Sequence, residues 1–135
     1  MQSYRNILVA LDGSASDDAL ISQVSVLAAP LGAKVHLLHV AHSHTLDQDR
    51  ALREQAAVFL QRHQSAMQKL GIEVDVRVRS GEPDREILQE IEEQRYDLLA
   101  MAAHGHSLFG RILFGSVSRA LRNKISIPIL LVKGV

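Results

Sequence analysis

Met101-Ala102-Ala103-His104-Gly105-His106-Ser107-Leu108-Phe109-Gly110, continued by Arg111-Ile112-Leu113-Phe114-Gly115-Ser116-Val117-Ser118, is the stretch on which the reading of this chain turns. The apolar run Leu98-Leu99-Ala100-Met101-Ala102 enters it as a buried strand. Gly115-Ser116 offers a helix cap just before Val117, Ala120 and Leu121. Between strand and helix lie three glycines, three hydroxyls counting Ser118, two histidines and an arginine, with no acid. Glycines let backbone N–H groups approach an anion, and a helix N-terminus adds partial positive charge, so such a segment can hold a phosphate. Taken alone, it reads more plainly as a surface loop whose glycines only turn the chain. Its position favours the first reading, because open parallel sheets bind ligands at late strand-to-helix crossings.

Working outward, Ile7-Leu8-Val9-Ala10-Leu11 is a continuous apolar run ended by the turn Asp12-Gly13-Ser14, as expected of a central parallel strand. Ser16 is the expected cap of a helix with Asp17 and Asp18 in its first turn and Leu20, Val24, Leu27 and Leu31 at helical spacing. Pro30 should end or kink that helix, and Gly32 closes it. Lys34 to Val40 reads as the second strand, and Asp47 to Leu70 as a long helix closed by Gly71. Val74, Val76 and Val78 alternate with Asp75, Arg77 and Arg79, which predicts an edge strand with one wet face. Pro83 opens a helix buried through Ile87, Leu88 and Ile91, with Glu90, Glu92 and Glu93 read as a solvated acidic face. Tyr96-Asp97 turns into the fourth strand, a helix runs to about Asn123, and Pro128 precedes the last strand, Ile129 to Val132. The expected architecture is α/β: one domain over residues 1–135, an open five-stranded parallel sheet with helices on both faces.

The 47% hydrophobic but 4% aromatic composition suits an aliphatic core under such a sheet. Lys plus Arg equals Asp plus Glu at 15 each, which argues against nucleic acid and polybasic membrane partners. Without cysteine there is no disulfide, thiol catalysis or cysteine zinc site. No signal peptide is read before the first strand and no apolar run approaches bilayer length, so a cytoplasmic location is expected.

The chain resembles the universal stress protein family of the UspA type over nearly its whole length. The resemblance is carried by Asn6-Ile7-Leu8-Val9-Ala10-Leu11-Asp12-Gly13-Ser14, by Val35-His36-Leu37-Leu38-His39-Val40 and by Tyr96-Asp97-Leu98-Leu99-Ala100-Met101. Nucleotide-binding members carry Gly, two residues, Gly, nine residues, Gly, then Ser or Thr. Gly105, Gly115 and Ser116 fall in that register, whereas Ala102 stands at the first glycine. The resemblance implies a Rossmann-like, adenine nucleotide alpha hydrolase-like sheet of strand order 3-2-1-4-5 that binds ATP or a related adenine nucleotide with Mg2+ at its carboxyl edge. By the same resemblance Asp12 would meet the ribose or the magnesium ion, although Asp-Gly-Ser is equally good for an Asx turn. Val40 would lie against adenine, with Leu11, Met101 and Ala102 at the same edge. Gly105, His106 and Ser107 would wrap the phosphates, and Gly115, Ser116, Val117 and Ser118 would supply N–H groups and hydroxyls. At Ala102, a backbone needing φ > 0 would cost about 1 kcal/mol; otherwise only the methyl crowds the ligand. Homodimerisation through residues 129–133 is a further implication.

No lysine stands where a P-loop places one, and no carboxylate follows in the loop to activate water. A binder is therefore expected rather than an enzyme, with slow or no hydrolysis, and the resemblance implies a stress-response role for it; a nucleotide-independent dimeric scaffold, favoured by Ala102, is the alternative. His42, His44, His104 and His106 belong near the carboxyl edge, but strands two and four lie about 10 Å apart, so a shared metal is not expected.

Overall fold

The computed structural model describes residues 4–103, 120–121 and 123–133. Its elements are β1 (Asn6–Ala10), α1 (Ser16–Leu31), β2 (Lys34–Ala41), α2 (Leu46–Gln68), β3 (Val74–Ser80), α3 (Pro83–Glu93), β4 (Leu98–Ala102) and β5 (Ile129–Val132). The strands form one sheet in the order β3-β2-β1-β4-β5, with all neighbours parallel. The expected architecture and strand order are therefore present. The helix expected after the glycine segment falls mostly outside the described residues, within which Ala120 and Leu121 are helical.

Alternation along each strand sorts the core into two layers. Ile7, Val9, Leu11, Val35, Leu37, Ala100 and Ala102 pack under α1 and α2. Leu8, Ala10, Leu38, Val40, Leu99 and Met101 pack on the other face with Ile87 of α3 and Leu121. Because β1 is covered on both faces and paired on both edges, an uninterrupted apolar run is what it requires. Below β1, the Asp97 carboxylate accepts the amides of Arg5 and Asn6 at 2.9 and 2.8 Å, tying the start of β1 to the entry of β4.

Three local expectations are corrected. Ser16 does not cap α1: it is the first helical residue, the cap position is Ala15, and no side chain caps there. α2 begins at Leu46 on Thr45, whose hydroxyl accepts the Gln48 amide at 3.0 Å. Pro30, by contrast, stands where expected, since α1 ends one residue later at Leu31 with Gly32 left-handed at the cap.

The third correction concerns β3. It is an edge strand as expected, but its charged face is only partly open to water, because carboxylates of α3 reach across to it. Arg77 Nη1 donates to Glu90 at 3.0 Å, and Arg79 donates to Glu90 at 3.0 Å and to Glu86 at 2.9 Å. The Tyr96 hydroxyl also donates to Glu90. Glu90 is only 2% exposed, so the solvated acidic face is wrong at this position and right at Glu92. A buried carboxylate needs its full set of donors, and two guanidiniums and a phenol supply it. Burial, then the hydrogen bond to Glu90, pushes the Tyr96 phenol above its ordinary range. Glu90→Ala is expected to lower unfolding stability by about 2–3 kcal/mol, since it strands both arginines and the phenol. Glu92→Ala should stay within about 0.5 kcal/mol. Urea denaturation of the two variants checks the pair.

Candidate functional site

The parallel register decides which chain ends meet. Ala10 pairs with Leu38 on one side and Met101 on the other, so β1, β2 and β4 reach the carboxyl edge in step. The ladder runs past the strand ends: the Leu11 amide donates to Leu38 O at 2.8 Å and the Ala103 amide to Val132 O at 2.8 Å. Leu11, Asp12, Val40, Met101 and Ala102, five of the sequence-predicted site residues, thereby gather at one edge, all buried. Gly105, His106, Ser107, Gly115, Ser116, Val117 and Ser118 lie outside the described residues.

Two carboxyls organise the turn that leaves β1. Asp12 Oδ1 accepts the Ser14 amide at 2.9 Å, so the Asx turn is made. A carboxylate accepts several hydrogen bonds, so this turn is compatible with a ligand contact by the same group. Asp17 reaches back from the first turn of α1 and accepts the Asp12 amide at 3.2 Å and the Gly13 amide at 2.8 Å. Three successive amides are thus committed to carboxyl oxygens, and this turn is no anion nest. Any phosphate contact must come from other donors. Burial, then the neighbouring charge of Asp12, pushes the Asp17 carboxyl up to about 8, against the pull of the two amides.

The turn is braced from two further elements. His39 of β2 sets Nδ1 2.8 Å from the Leu11 carbonyl, which fixes Nδ1 as the protonated nitrogen. Burial lowers its pKa, so the ring is neutral. Phe59 of α2 stands edge-on to His39 with centroids 5.0 Å apart. Gly13 adopts φ +83°, and a Cβ there would lie 3.1 Å from the Phe59 ring. Asp17, His39 and Phe59 escaped the sequence reading as site residues. Asp17 looked like a dipole-compensating acid and Phe59 like ordinary core; the one local signal is that Asp17, in the first turn of the next helix, follows Asp12 by five residues.

Ala102 is settled by its backbone. No described residue other than glycine has positive φ, and Ala102 is extended in β4 with its methyl in the α1 layer of the core. The left-handed penalty does not arise, and the methyl is turned into protein.

The histidines separate. His36 faces α3 and bonds Asp75 at 2.9 Å and Asn6 at 3.0 Å, whereas His39 faces α2. His42 pairs with Glu82 at 3.3 Å and lies 5.6 Å, ring to ring, from His44. Among the described residues no group of three metal-ligating side chains is arranged to hold an ion; His104 and His106 lie outside them. A groove of about 640 Å³ runs between α1 and α2 past Ile21, Ser25, Ala29, His63 and Ala66, and no candidate residue lines it. No helix among the described residues is long and apolar enough to cross a membrane.

Comparison with known proteins places this geometry. The model of the universal stress protein family matches residues 3–133. The chain is 29% identical over 129 residues to universal stress protein Slr1230 of Synechocystis, covering 96% of this chain and 42% of that one. It is 23% identical to universal stress protein YxiE of Bacillus subtilis, covering 96% and 99%. The chain thus spans less than half of the first relative and nearly all of the second. Among solved structures, the protein MJ0577 superposes with TM-score 0.84 at 25% identity, covering 98% and 97% of the two chains. A universal stress protein in complex with cAMP superposes with TM-score 0.73 at 21% identity, covering 98% of each. One from Archaeoglobus fulgidus in complex with dAMP gives 0.74 at 23%, covering 98% and 100%.

Two outcomes test this geometry. Gly13→Ala should destabilise the fold by about 1–2 kcal/mol, as L-residues pay in the left-handed region, read by thermal unfolding. Asp17 has its folded pKa, about 8, above its ordinary 3.8, so its stabilising contribution is full below about pH 4 and lost as pH rises to about 8. Asp17→Asn removes that slope, which urea titrations at pH 4, 6 and 8 would register as a flatter profile.

Proposed function

This chain belongs to the universal stress protein family, and from that membership we propose that it binds ATP or a related adenine nucleotide at the carboxyl edge of its sheet and acts as a stress-response module. The observation that carries the reading is the convergence of Asp12, Val40 and the end of β4 at one edge, with β4 leading directly into Gly105 and Gly115. Relatives of the same fold have been solved with cAMP and with dAMP.

In this reading adenine lies against Val40, between the ends of β2 and β1, with the backbone of Leu11, Met101 and Ala102 at the same edge. Asp12 accepts a ribose hydroxyl. A carboxylate is also what a hard dication takes; with Asp17 committed to the Asp12 and Gly13 amides, Asp12 is the carboxylate of this turn that would meet a Mg2+ carried in on the nucleotide's phosphates. Gly105, His106 and Ser107 surround the phosphates, and Gly115, Ser116, Val117 and Ser118 contribute amides and hydroxyls at the start of the next helix. The segment carries no acid and no P-loop lysine, so the protein holds nucleotide without a built means of activating water. It acts as a binder, not an enzyme.

Two copies pair through residues 129–133. β5 closes the sheet on one side, and Leu131 is 42% exposed on it, an apolar edge that a second chain would cover. The competing reading, a dimeric scaffold indifferent to nucleotide, drew its support from Ala102, and the extended backbone there weakens it.

Calorimetry should give a submillimolar Kd for MgATP, weakened at least about tenfold by Asp12→Ala or Gly105→Val; no heat with ATP, AMP or cAMP would overturn the reading. Ala102→Gly should change affinity less than about threefold, because its methyl points into the core. Leu131→Asp should convert a dimer to monomer in sedimentation equilibrium.

A further inference from the structure

Asp17 is 1% exposed, yet its carboxyl lies beside that of Asp12. Burying two acids together is unfavourable, and an acid in a first helical turn ordinarily faces water, where it serves the dipole. Asp17 does neither that nor the work of a cap, for the cap position of α1 carries no side-chain hydrogen bond. Its two oxygens instead take consecutive amides of the β1 exit, Asp12 at 3.2 Å and Gly13 at 2.8 Å. One acceptor on one amide would leave the peptide plane free to rotate. Two acceptors on adjacent amides set both planes, and with them the direction in which the Asp12 side chain leaves the backbone. Phe59 closes the far side of the same turn against Gly13, and His39 bonds the carbonyl before it. Both resist displacement of the turn as a whole, whereas Asp17 engages the amide of Asp12 itself.

We propose that Asp17 is a positioning residue of the nucleotide site: through the amides of Asp12 and Gly13 it aims the Asp12 carboxylate at the ribose hydroxyls of the bound nucleotide. This rests on the adenine-nucleotide reading above. Asp17 does not touch the ligand; its effect passes through Asp12, so it governs recognition of the sugar and leaves the base and phosphate contacts intact.

The test compares ATP with 2′,3′-dideoxy-ATP, which lacks both ribose hydroxyls, by calorimetry on the full chain. Wild type should prefer ATP by about tenfold, the size of a hydrogen bond to a charged group. In Asp17→Asn and Asp17→Ala the preference should fall to within about twofold, through weaker ATP binding with dideoxy-ATP affinity unchanged. Asp17→Asn added to Asp12→Ala should cost nothing further in ATP affinity. Circular dichroism and thermal unfolding report folding separately; Asp17→Asn, nearly the same shape, serves if Asp17→Ala does not fold. An equal loss for both nucleotides, or additive losses in the double variant, would make Asp17 merely structural and overturn the proposal while nucleotide binding stands. A wild type that binds neither nucleotide overturns the nucleotide reading, and this inference with it.

Discussion

Everything in this structure depends on β1 having no free side. Its amides and carbonyls pair with β2 and β4, and its side chains fill the α1/α2 layer on one face and the α3 layer on the other. Each buried Ile, Leu or Val contributes about 1.5–3 kcal/mol of transfer free energy, so a one-residue slip would misplace every one of them. With β1 locked in register, the chain can emerge at only one level on the carboxyl edge. That level is shared with β2 and β4, and the candidate site is a consequence of it.

The same burial poses a problem for carboxylates, and the chain solves it in two ways. Glu90 keeps its position under β3 by gathering cationic and phenolic donors: Arg77, Arg79 and Tyr96. Asp17 has backbone amides for donors and an acid for a neighbour, and its proton is held far above the usual carboxylate range. The first arrangement serves packing between α3 and the sheet edge. The second lies at the exit of β1, and it builds the turn that carries Asp12.

Ala102 stands at the end of β4 where the family motif has its first glycine. The motif position invites the thought that alanine obstructs, because glycine often marks a left-handed backbone or a close approach. In this chain the backbone is extended and the methyl faces the core, leaving the strand's other face unaltered. The difference therefore brings no left-handed backbone penalty, and the methyl lies in the core layer under α1.

Alternation of apolar runs with helical spacing, Pro83 at a helix start, and glycines at 32 and 71 were enough to read the order of elements. The apolar run of β1 and the half-polar β3 were enough to place one at the centre and the other at the rim. These features are local: they depend on periods of two and 3.6 residues and on turn chemistry. The Asx turn at Asp12 was legible for the same reason, since its partner is two residues away. Glu90 looked like its neighbours Glu92 and Glu93, and nothing nearby in the chain says that Arg77 and Arg79 will stand opposite. Asp17 looked like Asp18, though one is buried and the other faces water. Whether a charged side chain meets water, a guanidinium or a pair of amides depends on which distant strand or turn packs against it. The sequence by itself determined the α/β order, the central strand and the edge at which Asp12 and Val40 emerge. Tertiary structure decided which acids are buried there and what they hold, because that is settled by contacts no local period encodes.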